Sequence, residues 1–239
     1  MAIPNILSIA GTDPTGGAGI QADLKSIAAA GGYGMCVITS LVAQNTQGVR
    51  DMHTPPQEFL LAQLDAVFDD VQVDAVKIGM LGDAPTTRAV SEYLRSHPVP
   101  LVVVDPVMVA TSGDRLLTTD AEAALRELVL DHATVVTPNI PELAVLVSDA
   151  PAASFDEAIE QGKHLAGTAQ VQVVVKGGHL AGGKASNALV GPDGSVVLAE
   201  VPRVNTTNTH GTGCSLSSAF ATRLALTGEA DQALKWSST

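Results

Sequence analysis

Positive charge is scarce in this sequence. Thirteen lysines and arginines stand against 25 aspartates and glutamates, for a formal net charge of −12. Such a chain offers no basic footprint to nucleic acid or to an anionic membrane, so neither is expected as a main partner. A phosphate ligand would have to be met locally, by backbone amides, a lysine and a divalent cation. Cysteine is nearly absent: Cys36 and Cys214 make no disulfide framework and fit a reducing cytosol. No apolar run approaches the roughly 20 residues of a membrane span. Met1–Ala10 has neither a basic leader region nor a cleavage site, so the expectation is a soluble, cytoplasmic protein. Two familiar phosphate signatures are also missing. There is no GxxxxGK[ST] run, and Gly11–Gly19, reading GTDPTGGAG, does not fit GxGxxG, which argues against a P-loop enzyme and a nicotinamide oxidoreductase. The six histidines show no metal-ligand spacing.

What is present is a regular rhythm. The 239 residues, 46% hydrophobic and 16% charged, suit one sizeable domain with a buried core. Short apolar runs at Ile3–Ala10, Met35–Leu41, Ala75–Met80, Leu101–Val104, Thr134–Thr137 and Val171–Val175 read as strands. Between them lie segments with helical spacing: Ile20, Leu24 and Ile27; Leu60, Leu64, Val67 and Phe68; Val90, Tyr93 and Leu94; Ala121, Leu125, Leu128 and Val129; Ile159, Leu165 and Ala166. Uninterrupted apolar strands alternating with amphipathic helices predict an α/β fold, a largely parallel sheet covered on both faces. Asn187–Val190 and Ser195–Ala199 flank a Gly-Pro-Asp-Gly turn and predict an antiparallel hairpin at one edge. No repeat, charge block or linker divides residues 1–239.

Ligands of open parallel sheets sit outside the carboxyl ends of the strands. Those ends carry Gly11, Asp105-Pro106, Pro138-Asn139 and Lys176-Gly177-Gly178, so a carboxylate, an amide and a lysine share one rim. Glu142 follows Asn139 by about one helical turn and can face the same crevice. Near the far end, NTTNTHGTGCSLSS (Asn205–Ser218) places Gly211 and Gly213 around Thr212, ahead of Leu216, Phe220 and Leu224 at helical spacing. A glycine turn feeding a helix presents free N–H donors to an anion. The helix is expected to start at Gly213. Cys214 would stand at its N-terminus, an environment that lowers a thiol pKa.

Six segments together resemble the hydroxymethylpyrimidine/phosphomethylpyrimidine kinases of thiamin biosynthesis, a branch of the ribokinase superfamily. They are AGTDPTGGAGIQADLKS (Ala10–Ser26), ITSLVAQNTQGV (Ile38–Val49), DPVM (Asp105–Met108), TPNIPE (Thr137–Glu142), VVKGGH (Val174–His179) and NTHGTGCSLSSA (Asn208–Ala219). The resemblance runs through nearly the whole chain in order. It implies a ribokinase-like central sheet and transfer of a phosphoryl group from ATP, with Mg²⁺, to a small pyrimidine alcohol and then to its monophosphate. It also implies a homodimer. Position by position, it places Asp23 and Gln44 at the aminopyrimidine and Gly11, Met80, Val107 and Cys214 around that pocket. Asp105, Asn139, Glu142, Lys176 and Thr212 fall on the nucleotide side, with Asp105 and Glu142 toward the metal. Gly211, Thr212, Gly213 and Cys214 form the anion hole, and Lys176 meets the phosphates.

Two departures qualify the resemblance. Sugar kinases of the superfamily carry an aspartate base where Cys214 stands, and the chain stops at Thr239, before the family pattern does, which leaves the nucleotide side short. The expectation is therefore a single kinase domain over 1–239, shortened at its C-terminus. The nearest rival is a pyridoxal kinase, which shares the glycine turn. A rival of another class is a non-catalytic pyrimidine-binding or regulatory protein.

Overall fold

A computed structural model describes residues 2–108, 117–179, 185–206 and 208–239. Its frame is an eight-stranded sheet built from β1 (Asn5–Ala10), β2 (Tyr33–Ile38), β5 (Ala75–Ile78), β6 (Val102–Val104), β7 (Val135–Val136), β8 (Gln172–Lys176), β9 (Asn187–Val190) and β10 (Val196–Ala199). Two further strands, β3 (Leu41–Asn45) and β4 (Gly48–His53), form a separate antiparallel hairpin. The large sheet has the order β10-β9-β8-β7-β6-β5-β1-β2. Strands β1, β2, β5, β6, β7 and β8 are mutually parallel, and β9 and β10 close the edge as the expected hairpin.

The helices are α1 (Gly19–Ala30), α2 (Gln57–Phe68), α3 (Ala84–Ser96), α4 (Thr119–His132), α5 (Ile140–Val147), α6 (Phe155–Ala169), α7 (Thr212–Thr227) and α8 (Ala230–Ser237). They cover the two faces unequally, and the alternation along each strand shows how. Leu7, Ile9, Val76, Ile78, Val102, Val104, Val173 and Val175 face a large core shared with α2 to α6. Ile6, Ala75, Val103, Val135 and Val174 face a smaller core completed by Ile27 of α1, Phe220 and Ala221 of α7, and Leu234 of α8. Residues two apart along a strand share a face, so Ser8 and Lys77, directly paired across β1 and β5, point toward α1 and α7.

The strand and helix alternation agrees with the periodicity, with boundaries shifted by one to three residues. Two elements have no counterpart in the expectations. The β3–β4 hairpin occupies a stretch read as strand end and loop, and Gln44 lies within β3, at a register shift between Ala43 and Gln44. Helix α8 follows Gly228, which caps α7 at φ 71°. Helix α7 begins at Thr212 with Gly211 as its N-cap, one residue ahead of the expected start. No described helix is long and apolar enough to cross a membrane.

Candidate active site

Strand β1 has β2 on one side and β5 on the other, so the chain direction switches at this point, where open α/β sheets hold their ligands. The carboxyl ends of β1, β5, β6, β7 and β8 line the crevice. Three of the residues expected there meet directly. Lys176 Nζ donates to Asp105 Oδ1 at 2.8 Å and lies 4.0 Å from Glu142 Oε2. Thr137 Oγ1 donates to Asp105 Oδ1, and Ser217 Oγ of α7 donates to its Oδ2. Asn139 and Glu142 form a capping box for α5: Glu142 N donates to Asn139 Oδ1 at 2.9 Å, and Asn139 N to Glu142 Oε2 at 2.8 Å. The capping role and a seat beside Lys176 thus fall on the same glutamate.

The charges in this cluster set one another. Burial works against the Asp105 carboxylate, but Lys176 and Lys77 hold its pKa below the usual carboxylate range. Burial likewise works against the Lys176 ammonium, and Asp105 and Glu142 raise its pKa in spite of it. Glu142 is the weaker partner: burial pushes it up to about 7, because Lys176 lies farther away and Asp105 repels it.

The glycine turn closes over this cluster. Gly211 is at φ 76°, and a Cβ there would overlap the Gly17 carbonyl oxygen, so the position needs glycine twice over. Gly213 is already helical, and a Cβ there would lie 3.1 Å from Lys176 Nζ. Of these two glycines only Gly211 has a positive φ. The Cys214 thiol also departs from expectation. Burial pushes its pKa up to about 11, with Asp23 and Asp105 adding to the rise and Lys77 and the Gly19 amide opposing it. Burial outweighs the helix N-terminus, and the thiol is protonated at neutral pH.

The residues expected around the pyrimidine are brought together in part. A Cβ on Gly11 would meet the Met80 methyl and then Val42. Gln44 Nε2 donates to the Thr12 carbonyl at 3.2 Å, and Gly19 N–H points to the Cys214 thiol. Val107 is half-buried just past Asp105 on the same rim.

Asp23 stands apart from that group. It is fully buried, accepting two bonds of 2.9 Å from Lys77 Nζ, one of 2.6 Å from Ser8 and one of 2.8 Å from Ser218. Both of its oxygens are committed, so the structure gives Asp23 a part in holding β1, β5, α1 and α7 together, not the expected place at the ligand edge. Lys77 sits inside an apolar strand, AVKI, where a lone lysine is the one signal the sequence offers for it. Asp13 and His210 also pair, at 2.7 Å, a contact that no sequence spacing indicates.

Among the described residues no cluster of three or more His, Cys, Asp or Glu side chains is arranged to hold a metal ion. The donor chemistry nonetheless fits Mg²⁺. That ion takes one or two carboxylates and leaves its other positions to water and phosphate oxygens. Glu142 is such a hard oxygen donor near the rim, whereas both Asp105 oxygens already accept from Lys176, Thr137 and Ser217, which sets Asp105 behind it.

A family model for phosphomethylpyrimidine kinase matches residues 13–239. The chain belongs to the phosphomethylpyrimidine kinase family. Among its relatives, the thiamine biosynthesis multifunctional protein ThiED of Corynebacterium glutamicum is 64% identical over 98% of this chain. The chain spans 30% of that protein and 32% of its Corynebacterium efficiens counterpart. The hydroxymethylpyrimidine/phosphomethylpyrimidine kinase of Escherichia coli is 48% identical over 91% of this chain and 81% of its own length. A phosphomethylpyrimidine kinase structure from Clostridium difficile aligns with a TM-score of 0.85 at 36% identity, covering 98% of this chain and 96% of that one. The Staphylococcus aureus pyridoxal kinase in complex with AMP-PCP and pyridoxal aligns with a TM-score of 0.88 at 27% identity, covering 99% and 86%.

Two expected outcomes follow from these charges. Asp23→Asn strands the buried Lys77 ammonium and should cost about 3–5 kcal/mol, whereas Asp23→Leu with Lys77→Met should cost less than that single change. Urea unfolding at matched m-values separates them, and a fully stable Asp23→Asn protein would contradict this account of the pair. For Glu142 the folded pKa is raised from 4.5 to about 7. Its contribution to stability is therefore full below about pH 4.5 and lost as pH rises through about 7. With a metal chelator present, Glu142→Gln, which keeps the capping acceptor, should gain in thermal midpoint relative to the parent between those pH values. A constant difference would count against the raised pKa.

Proposed function

We propose that this chain transfers the γ-phosphoryl group of ATP to the 5-hydroxymethyl oxygen of 4-amino-5-hydroxymethyl-2-methylpyrimidine, and then phosphorylates the monophosphate to the diphosphate. The reaction would serve thiamin biosynthesis. The observation that carries the reading is Lys176, paired with Asp105 and set against Gly213 at the start of α7. Family membership supports the choice of substrate class.

In this reading the substrate oxygen bonds to the γ-phosphorus as the bond to the ADP oxygen breaks. The loose transition state spreads charge over the phosphoryl oxygens and needs little covalent help from the protein. Lys176 offsets charge on the nucleotide phosphates, and the backbone amides of the Gly211–Cys214 turn face the group in transit. A protonated Cys214 thiol donates or packs and does not act as base. Gln44 is the reader of the pyrimidine edge. Asp23 fixes the depth of α7 from behind the pocket. Mg²⁺, held by Glu142 with Asp105 behind it, would supply further neutralisation of the nucleotide charge.

A homodimer belongs to the same reading. Its support here is the exposure of Tyr33, Leu41, Met52 and Phe59 on β2, β3, β4 and α2. The pyridoxal kinase alternative draws on the TM-score of 0.88 to the staphylococcal enzyme; the 48% identity to the Escherichia coli pyrimidine kinase favours the pyrimidine.

ATP consumption with a panel of alcohols tests the choice. Turnover with the pyrimidine and its monophosphate is expected. Preference for pyridoxal would shift the assignment, and binding without turnover would make the protein a sensor. In the same assay Gln44→Leu should raise the pyrimidine KM by about 10- to 100-fold, the scale of one lost buried hydrogen bond, and leave the ATP KM near its parent value. An unchanged pyrimidine KM removes Gln44 from the site.

The turn has its own comparison. Cys214→Ser, which keeps the backbone, should slow turnover less than Gly211→Ala, which adds both strain and a clash. Losing one anion-hole donor costs roughly 100- to 1,000-fold in kcat, and Gly211→Ala is expected in that range with circular dichroism intact. The reverse order would make the thiol the base.

A further inference from the structure

Two loops of the candidate site, almost a whole chain apart in sequence, are interlocked. Asp13, in the loop after β1, has no solvent exposure. Its Oδ1 accepts from Thr15 N at 2.9 Å and Thr15 Oγ1 at 2.8 Å, and its Oδ2 accepts from Ala18 N at 2.8 Å. The same Oδ2 lies 2.7 Å from His210 Nε2, 197 residues away. Burial disfavours an ionised Asp13, yet hydrogen bonds from His210, Thr15 and Ala18 hold its pKa below the usual range. His210 immediately precedes Gly211, the residue packed against the Gly17 carbonyl. A Cβ on Gly17 would in turn lie 2.8 Å from His210 Cδ2. The backbone contact and the side-chain bond therefore act on neighbouring residues, at the point where α7 begins.

The chemistry proposed above uses neither Asp13 nor His210. It does require the Gly211–Cys214 amides, on one loop, to hold a fixed position relative to Gly11, Gly19 and the Gln44–Thr12 contact, on the other. We propose that Asp13 and His210 form a latch that sets the position of the Gly211–Cys214 turn against the Gly11–Gly19 loop, which makes His210 a positioning residue for phosphoryl transfer. The inference rests on the kinase reading for its effect on rate, but the latch itself is a statement about geometry.

Asp13 is a poor residue to remove, because Thr15 and Ala18 also depend on it. His210 has one such bond and is 17% exposed, so it can be cut without emptying the core. His210→Ala should lower kcat by about 10- to 100-fold, the scale of a small misplacement of reacting groups. The pyrimidine KM should stay within about threefold and the thermal midpoint within about 3 °C, a shift worth no more than about 1 kcal/mol in a chain of this size. His210→Gln, which keeps an N–H donor, should recover most of the lost kcat. A His210→Ala kcat within about twofold of the parent overturns the proposal, as does a fall that follows the thermal midpoint and is not recovered by glutamine. Amide hydrogen exchange reads the latch without catalysis. Exchange in residues 211–216 should be at least about tenfold faster in His210→Ala, with α4 unchanged. Unchanged exchange there defeats the latch. A parent protein that phosphorylates no alcohol, while the exchange difference holds, defeats only the kinase reading.

Discussion

Buried charge is the constraint on which this structure turns. Asp23 and Asp105 lie under the same helix, each neutralised by a lysine from a central strand, Lys77 or Lys176. Consecutive α7 residues close both arrangements: Ser217 donates to Asp105 and Ser218 to Asp23. A carboxylate out of water must have its charge and lone pairs met, or it would not stay ionised. Meeting that demand fixes how deep α7 sits and how it is rotated. The glycine turn at its start inherits that placement, so its position rests on polar contacts inside a largely apolar sandwich.

The two pairs divide the work by depth. Asp23 and Lys77 are sealed below the crevice. Lys176 keeps 12% exposure and reaches the rim, where Glu142 is held less tightly than Asp105. A gradient from sealed to reachable charge along one helix lets a rigid scaffold end in charged groups at the rim. It also explains the behaviour of Cys214. A thiol at a helix N-terminus normally ionises more readily, but this one is out of water, and burial decides, with Asp23 and Asp105 adding to it against Lys77.

Much of this was legible in the sequence because strand ends obey topology. Once the apolar runs are parallel strands, Gly11, Asp105, Asn139 and Lys176 must share a rim, and Glu142 follows from helical geometry. The edge hairpin was legible from its turn. The β3–β4 hairpin was not, since β4 is half-exposed to exposed throughout and shows no alternation to read. Helix α8 is only eight residues long, too short for periodicity to stand out. Asp23 was misplaced for a different reason: whether a carboxylate on a helix faces ligand or lysine depends on what the opposite strand brings, and Lys77 looked like one more strand residue. The Asp13–His210 contact depends wholly on tertiary packing.

The interlocking of the loop after β1 with the segment before α7 also has a consequence for how the molecule comes to exist. Its first and last thirds must find each other across 197 residues, a closure whose entropy is met late and which slows folding. Until α7 arrives, Ile6, Ala75, Val103 and Val174 present an apolar face without its full cover, and Asp23 and Asp105 lack their serine donors. A chain emerging from its N-terminus can therefore assemble most of the parallel sheet long before it has the Gly211–Cys214 turn. That turn would gain its place in one step, with the docking of a single late helix, and until then partly made chains would be sticky.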